Sequence, residues 1–152
     1  MYRSTKLFSG YSCCFRQWKA EHSHCRFLHG YALSFRVTFA GELDTRNWVC
    51  DFGCFSKNGI KERLSYLFDH TTIIAHDDPF ITKFHELEEE GLIQLRVVDA
   101  VGAERFAQLV CTEINRLLLE DEEHSGRVQA VKVECMENDK NSAVFFLGGK
   151  IV

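Results

Sequence analysis

An α+β domain is the fold class this sequence predicts, with a largely antiparallel sheet and helices gathered on one face. Three observations predict it. Residues 29–40, HGYALSFRVTFA, alternate Tyr31, Leu33, Phe35, Val37 and Phe39 with Ala32, Ser34, Arg36 and Thr38, the two-residue period of a sheet with one buried face. Residues 103–120 carry Phe106, Leu109, Val110, Ile114, Leu117 and Leu118 at three- and four-residue steps, which is a helix period. Residues 128–136 and 142–148 are two β-rich runs around Asn138-Asp139-Lys140-Asn141, residues suited to the turn of a hairpin.

The remaining elements follow in order. Residues 5–17 read as an earlier strand that pairs with 29–40, with a weaker alternation. Over residues 55–68 the period changes, because Ile60, Leu64, Leu67 and Phe68 share one helical face, with Asn58-Gly59 delaying the start. Phe80, Ile81, Phe84 and Leu87 predict a short second helix stopped by Gly91, and Ile93, Leu95 and Val97 a short strand. The order is β-β-α-α-β-α-β-β. One face of such a sheet is left open, and symmetric self-association is a natural cover.

The chain of 152 residues fits one domain, and with one proline, no low-complexity linker and no repeat, it shows no internal boundary, so residues 1–152 read as a single domain. Apolar residues at 45% and charged residues at 26% are the balance of a folded soluble protein. A net charge of −4 with no Lys/Arg run disfavours nucleic acid. No apolar run approaches the ~18 residues of a membrane span, and the N-terminus lacks a signal-peptide pattern. Seven cysteines, an odd number without a CxxC pair, read as reduced thiols in the cytoplasm.

Three clusters carry candidate chemistry: His22-Ser23-His24-Cys25 followed by His29-Gly30-Tyr31, then Asp69-His70, then Glu134. Side chains two apart on a strand leave the same face, so His29 and position 31 point together. With Tyr31 there, one imidazole alone makes a poor zinc site, and a loop histidine bonded to backbone is the plain alternative. Cys25 beside three histidines reads either as a thiol activated by a cationic neighbour or as an exposed one. Asp69-His70 reads as a proton-relay pair or as a helix end. Glu134 reads as a ligand anchor or as a solvated strand position.

The order of these segments resembles the 6-pyruvoyl/6-carboxytetrahydropterin synthase family. Cys25-Arg26-Phe27-Leu28-His29-Gly30 is similar to its Cys-x-x-x-His-Gly-His motif, and Trp48-Val49-Cys50-Asp51-Phe52-Gly53 to its apolar–Asp-Phe segment. Phe68-Asp69-His70 resembles its Leu-Asp-His, Val101-Gly102-Ala103-Glu104-Arg105-Phe106-Ala107 its Pro-Thr-x-Glu-x-x-Ala, and Val131-Lys132-Val133-Glu134-Cys135 its Val-x-Val-x-Glu-Thr. The resemblance implies the tunnelling fold, or T-fold. Its unit is a four-stranded antiparallel sheet with helices packed on one face, and copies close into a β-barrel as a homo-trimer or homo-hexamer.

The resemblance also implies a lyase acting on 7,8-dihydroneopterin triphosphate or a related pterin, in queuosine, biopterin or folate metabolism. Cys25 matches the thiol that moves a proton on the substrate side chain, and Asp69 and His70 match its relay partners. Glu134 matches the carboxylate that grips the pterin's 2-amino group and ring N–H, and Glu104 a supporting acid at a helix start. The family binds zinc through three histidines. Here only His29 matches; Phe15 and Tyr31 stand at the other two positions, and Val101-Gly102 replaces Pro-Thr. Tightly held zinc is therefore not expected at that position, although His22, His24, Cys13 and Cys14 are ligands of suitable type for a substitute site. The alternative is a non-catalytic or repurposed pterin- or purine-binding T-fold protein that has lost the zinc site.

Overall fold

The computed structural model describes residues 1–149; the last three positions of the single domain lie outside the described residues. In chain order the elements are β1 (Tyr2–Phe15), β2 (His29–Gly41), α1 (Ile60–Phe68), β3 (Thr71–Ala75), α2 (Ile81–Glu89), β4 (Leu95–Val98), α3 (Ala103–Glu120), β5 (Val128–Met136) and β6 (Ser142–Phe146). Short 3-10 turns at His24–Arg26 and Phe52–Ser56 interrupt the connections. The expected helix over 55–68 begins only at Ile60, because Gly59 precedes it with φ 84°, a left-handed conformation.

The sheet has six strands in the order β4-β3-β1-β2-β5-β6, so the expected four-stranded antiparallel sheet is corrected. The antiparallel part is β1-β2-β5-β6, whereas β3 runs parallel to β1 and β4 parallel to β3. Residues 71–75 carry no period-2 signal, because TTIIA is buried at every position and does not alternate. A parallel strand covered on both faces reads as a continuous run.

The helices do not share one face either. Ile73 joins the main core beneath α1 and α3, while the adjacent Ile74 joins Phe84 and Leu95 in a second cluster. Successive strand residues point to opposite faces, so α2 covers the reverse side of β3 and β4.

The weak alternation of β1 has a local cause. Its register against β2 slips between Phe8 and Tyr11, and Gly10 has φ 88°, so one extra residue forms a bulge. Before the bulge the even position Phe8 is buried; after it the odd positions Tyr11, Cys13 and Phe15 are. A period-2 reading that crosses the bulge cancels itself. β2 has no such break, and Leu33, Phe35, Val37 and Phe39 are all buried.

Aromatic packing ties the sheet to the helices: Phe35 lies 4.7 Å from Phe68, and Phe15 4.9 Å from Phe106, between ring centroids. A second slip, in β5 opposite Thr38/Phe39, interrupts the ladder near Ala130. Asn115 of α3 makes good the loss. Its amide accepts from the Ala130 N–H at 2.8 Å and donates to the Ala130 carbonyl at 2.9 Å. Asn115→Ala should therefore leave the Ala130 N–H without this partner and its carbonyl with the longer Cys111 thiol contact at 3.4 Å, destabilising the fold by about 2 kcal/mol, measured as a lower urea midpoint. An unchanged midpoint would contradict that role. Among the described residues, no helix is long and apolar enough to cross a membrane.

Candidate functional site

The end of the sheet where β1 stops and β2 starts gathers most of the candidate residues. Phe15 and His29 are register partners, and Tyr31 leaves the same face of β2 two residues on. Their rings form one cluster, with centroids at 5.0 Å for Phe15–His29, 5.3 Å for His29–Tyr31 and 5.9 Å for Phe15–Tyr31. Phe15 is fully buried. His29 Nδ1 lies 2.7 Å from the Phe27 carbonyl, so one ring nitrogen is committed to backbone. The three positions converge, but they bring one imidazole, a phenyl and a phenol.

Zinc does not fit this cluster. Phe15 offers no donor atom, and a neutral phenol at Tyr31 is a poor one. Burial, then the Glu137 carboxylate and Cys25, push the Tyr31 hydroxyl above its ordinary pKa, which favours the neutral form. His22 and His24 are exposed, and the His24 ring packs on Phe27 at 6.3 Å. Among the described residues, the group of three His, Cys, Asp or Glu side chains within reach of a common ion is Asp51, Cys54 and Glu123, and it includes none of the expected ligands. It lies at the far end of β1, where Ser4 contacts Cys50. There Arg46 pairs with both Asp51 and Glu123, and Cys54 donates its thiol proton to Glu123 at 3.3 Å. Burial and that carboxylate push Cys54 up to about 11, so the thiol is protonated at neutral pH.

Glu137 was missed by sequence reasoning, and a signal for it exists. It continues the inward parity of Val133 and Cys135, an acid where a core residue is due. Glu104, in the first turn of α3, stands at the same end: with Glu137 it faces Cys135, whose thiol is raised chiefly by burial. Gly102 precedes α3 with φ 117°, and a Cβ there would stand 2.5 Å from the Gln17 amide nitrogen. The Gln17 side chain thus fills the space that a threonine would need.

Cys25 sits exposed in the His24–Arg26 turn, which Ser23 caps by accepting from the Cys25 N–H at 3.1 Å. Cys13, Cys111 and Cys135 are buried, and burial raises all three, Cys13 to about 12 and Cys111 to about 11. Alkylation at neutral pH with peptide mapping should therefore label Cys25 first and these three last. Faster labelling of any buried thiol would contradict the burial order.

The other two clusters lie apart from Cys25. Asp69 ends α1, and His70 follows with φ 55°, its backbone N–H bonded to the Ser12 carbonyl at 2.6 Å. Asp69 Oδ1 and His70 Nδ1 are 3.0 Å apart, so these adjacent side chains do meet, on an exposed surface. Asp69 also borders a groove of about 340 Å³ between α1 and the β1 bulge, lined by Lys6, Ser9, Tyr11, Lys61 and Ser65. Burial and the Asp69 charge raise the Tyr11 hydroxyl to about 12.

Glu134 pairs in register with Arg36 of β2 and Val144 of β6, and accepts from Ser142 at 2.8 Å. Arg36 is an even position of β2, so Glu134 occupies the face away from Tyr31 and the main core. It also lies five residues along the sheet from Tyr31, about 17 Å at the usual strand rise.

A curled mixed sheet of six strands with helices packed over its core is the architecture of the tunnelling-fold class. Residues 5–147 match the family described as 6-pyruvoyl tetrahydropterin synthase, and the chain belongs to that family. Among solved structures, an uncharacterized protein from Wolinella succinogenes is similar at 22% identity and TM-score 0.79, with 96% of this chain and 98% of that chain covered. The 6-pyruvoyl tetrahydropterin synthase of Caenorhabditis elegans is similar at 15% identity and TM-score 0.63, covering 95% and 94%. That of Plasmodium falciparum is similar at 13% and 0.62, covering 94% and 96%. At these identities the likeness shows the fold. No curated protein matches the chain.

Proposed function

We propose that this chain is a pterin-handling lyase of the tetrahydropterin synthase type, acting on 7,8-dihydroneopterin triphosphate or a related pterin without zinc at the family position. The observation that carries the reading is the Asp69–His70 contact at 3.0 Å, a carboxylate orienting an exposed imidazole for proton transfer. Cys25, exposed and held by a capped turn, takes or returns the proton on the substrate side chain. Glu134 holds the pterin edge through its carboxylate. Glu104 supports the site from the start of α3.

Glu134 lies on the opposite sheet face and about 17 Å along the strands from Tyr31, so a single substrate at the ring cluster does not reach it within one chain. A joint role requires a second copy. The open edges of β4 and β6 and the uncovered sheet face support a homo-trimer or homo-hexamer, in which neighbouring sheets continue one another.

A non-catalytic pterin- or purine-binding role is favoured by one observation, the ring cluster of Phe15, His29 and Tyr31 where the family's metal stands. Incubation with 7,8-dihydroneopterin triphosphate, followed by chromatography of the pterins, separates the two. Consumption without added zinc supports the lyase. No consumption, with or without zinc, together with thermal protection by pterins, supports the binding protein.

A further inference from the structure

The connection between β1 and β2 is long and exposed, yet its backbone around Cys25 is tied down by two consecutive residues. The Gln17 N–H donates to the Cys25 carbonyl at 2.8 Å. Arg16 Nη1 donates to the next carbonyl, that of Arg26, at 3.3 Å. The remaining face of the Arg16 guanidinium forks onto Asp78, with Nε at 2.7 Å and Nη2 at 3.3 Å from its two oxygens. The Asp78 side chain has no exposed surface, and Arg16 retains 20%.

A buried carboxylate is costly unless it is fully paired, and this one is. Besides the fork, Asp78 Oδ1 accepts from the Phe80 N–H at 2.9 Å, which fixes the carboxylate at the entry to α2. The Phe80 ring carries Arg16 on its face at 5.4 Å. The guanidinium therefore has a rigid mount on one side and the Cys25 turn on the other.

We infer that the Arg16–Asp78 pair is a positioning clamp for Cys25, with Arg16 the residue that fixes where the thiol is presented. The inference rests on the lyase reading for its catalytic consequence, but the clamp itself is a property of the loop. A lysine at position 16 keeps the charge beside Asp78, yet its single ammonium cannot hold both Asp78 oxygens and the Arg26 carbonyl.

The test uses the full chain with Arg16→Lys, and with the double change R16A/D78A, which leaves no unpaired buried charge. A nitroxide attached to Cys25, with Cys14 and Cys54 changed to Ser, reports the order of the loop. Both variants should convert a slow, ordered spectrum into a mobile one. On unlabelled protein with 7,8-dihydroneopterin triphosphate, kcat should fall about 100-fold, with KM changed less than threefold, as expected for a misplaced reacting group. If the unaltered chain does not turn this pterin over, the lyase reading fails and the nitroxide spectra alone decide the clamp. An unchanged spectrum in both variants, with only a lower melting temperature, would overturn the inference.

Discussion

Cys25→Ala is expected to lower turnover of 7,8-dihydroneopterin triphosphate by about 10²–10⁴-fold, the range of a positioned proton-transfer group. KM should hold near its original value, because Cys25 lies in the turn and not at the proposed pterin anchor. His70→Ala should produce a loss of the same order, since it removes the imidazole that Asp69 orients at 3.0 Å. Both residues are exposed, so neither change should disturb the fold. Steady-state kinetics with a melting curve for each variant checks this. A Cys25→Ala chain that keeps full kcat would take the thiol out of the reaction.

Glu134→Gln is expected to weaken pterin binding by roughly 10- to 100-fold, equivalent to about 1.5–3 kcal/mol for a charge-assisted contact. Glutamine keeps the shape and the acceptor for Ser142, and withdraws the charge proposed to face the pterin N–H groups. Titration of a pterin by calorimetry or fluorescence measures the change directly. Thermal stability should be nearly the same, because Glu134 is only half-buried on the uncovered face. Affinity equal to that of the unaltered chain would remove Glu134 from the site.

Sequence by itself determined the strands and helices with clean periods, and the composition of the site. β2 and α3 were legible because the inward run from Leu33 to Phe39 and the buried face of α3 are apolar and their periods run unbroken. That two of the three imidazoles of the family's zinc position are missing was legible too, since Phe15 and Tyr31 lack one wherever the chain places them. Tertiary structure alone decided the rest. β3 carries no alternation because both of its faces are covered, and α2 crosses to the reverse face because Ile74 points away from Ile73. The parity of β1 depends on a bulge at Gly10 that only pairing with β2 defines. Glu137 reaches Tyr31, and Arg16 reaches Asp78 across 62 positions, through register and loop closure. Local periodicity reports which face of an element is buried, whereas meetings between distant residues depend on how the elements pair and pack.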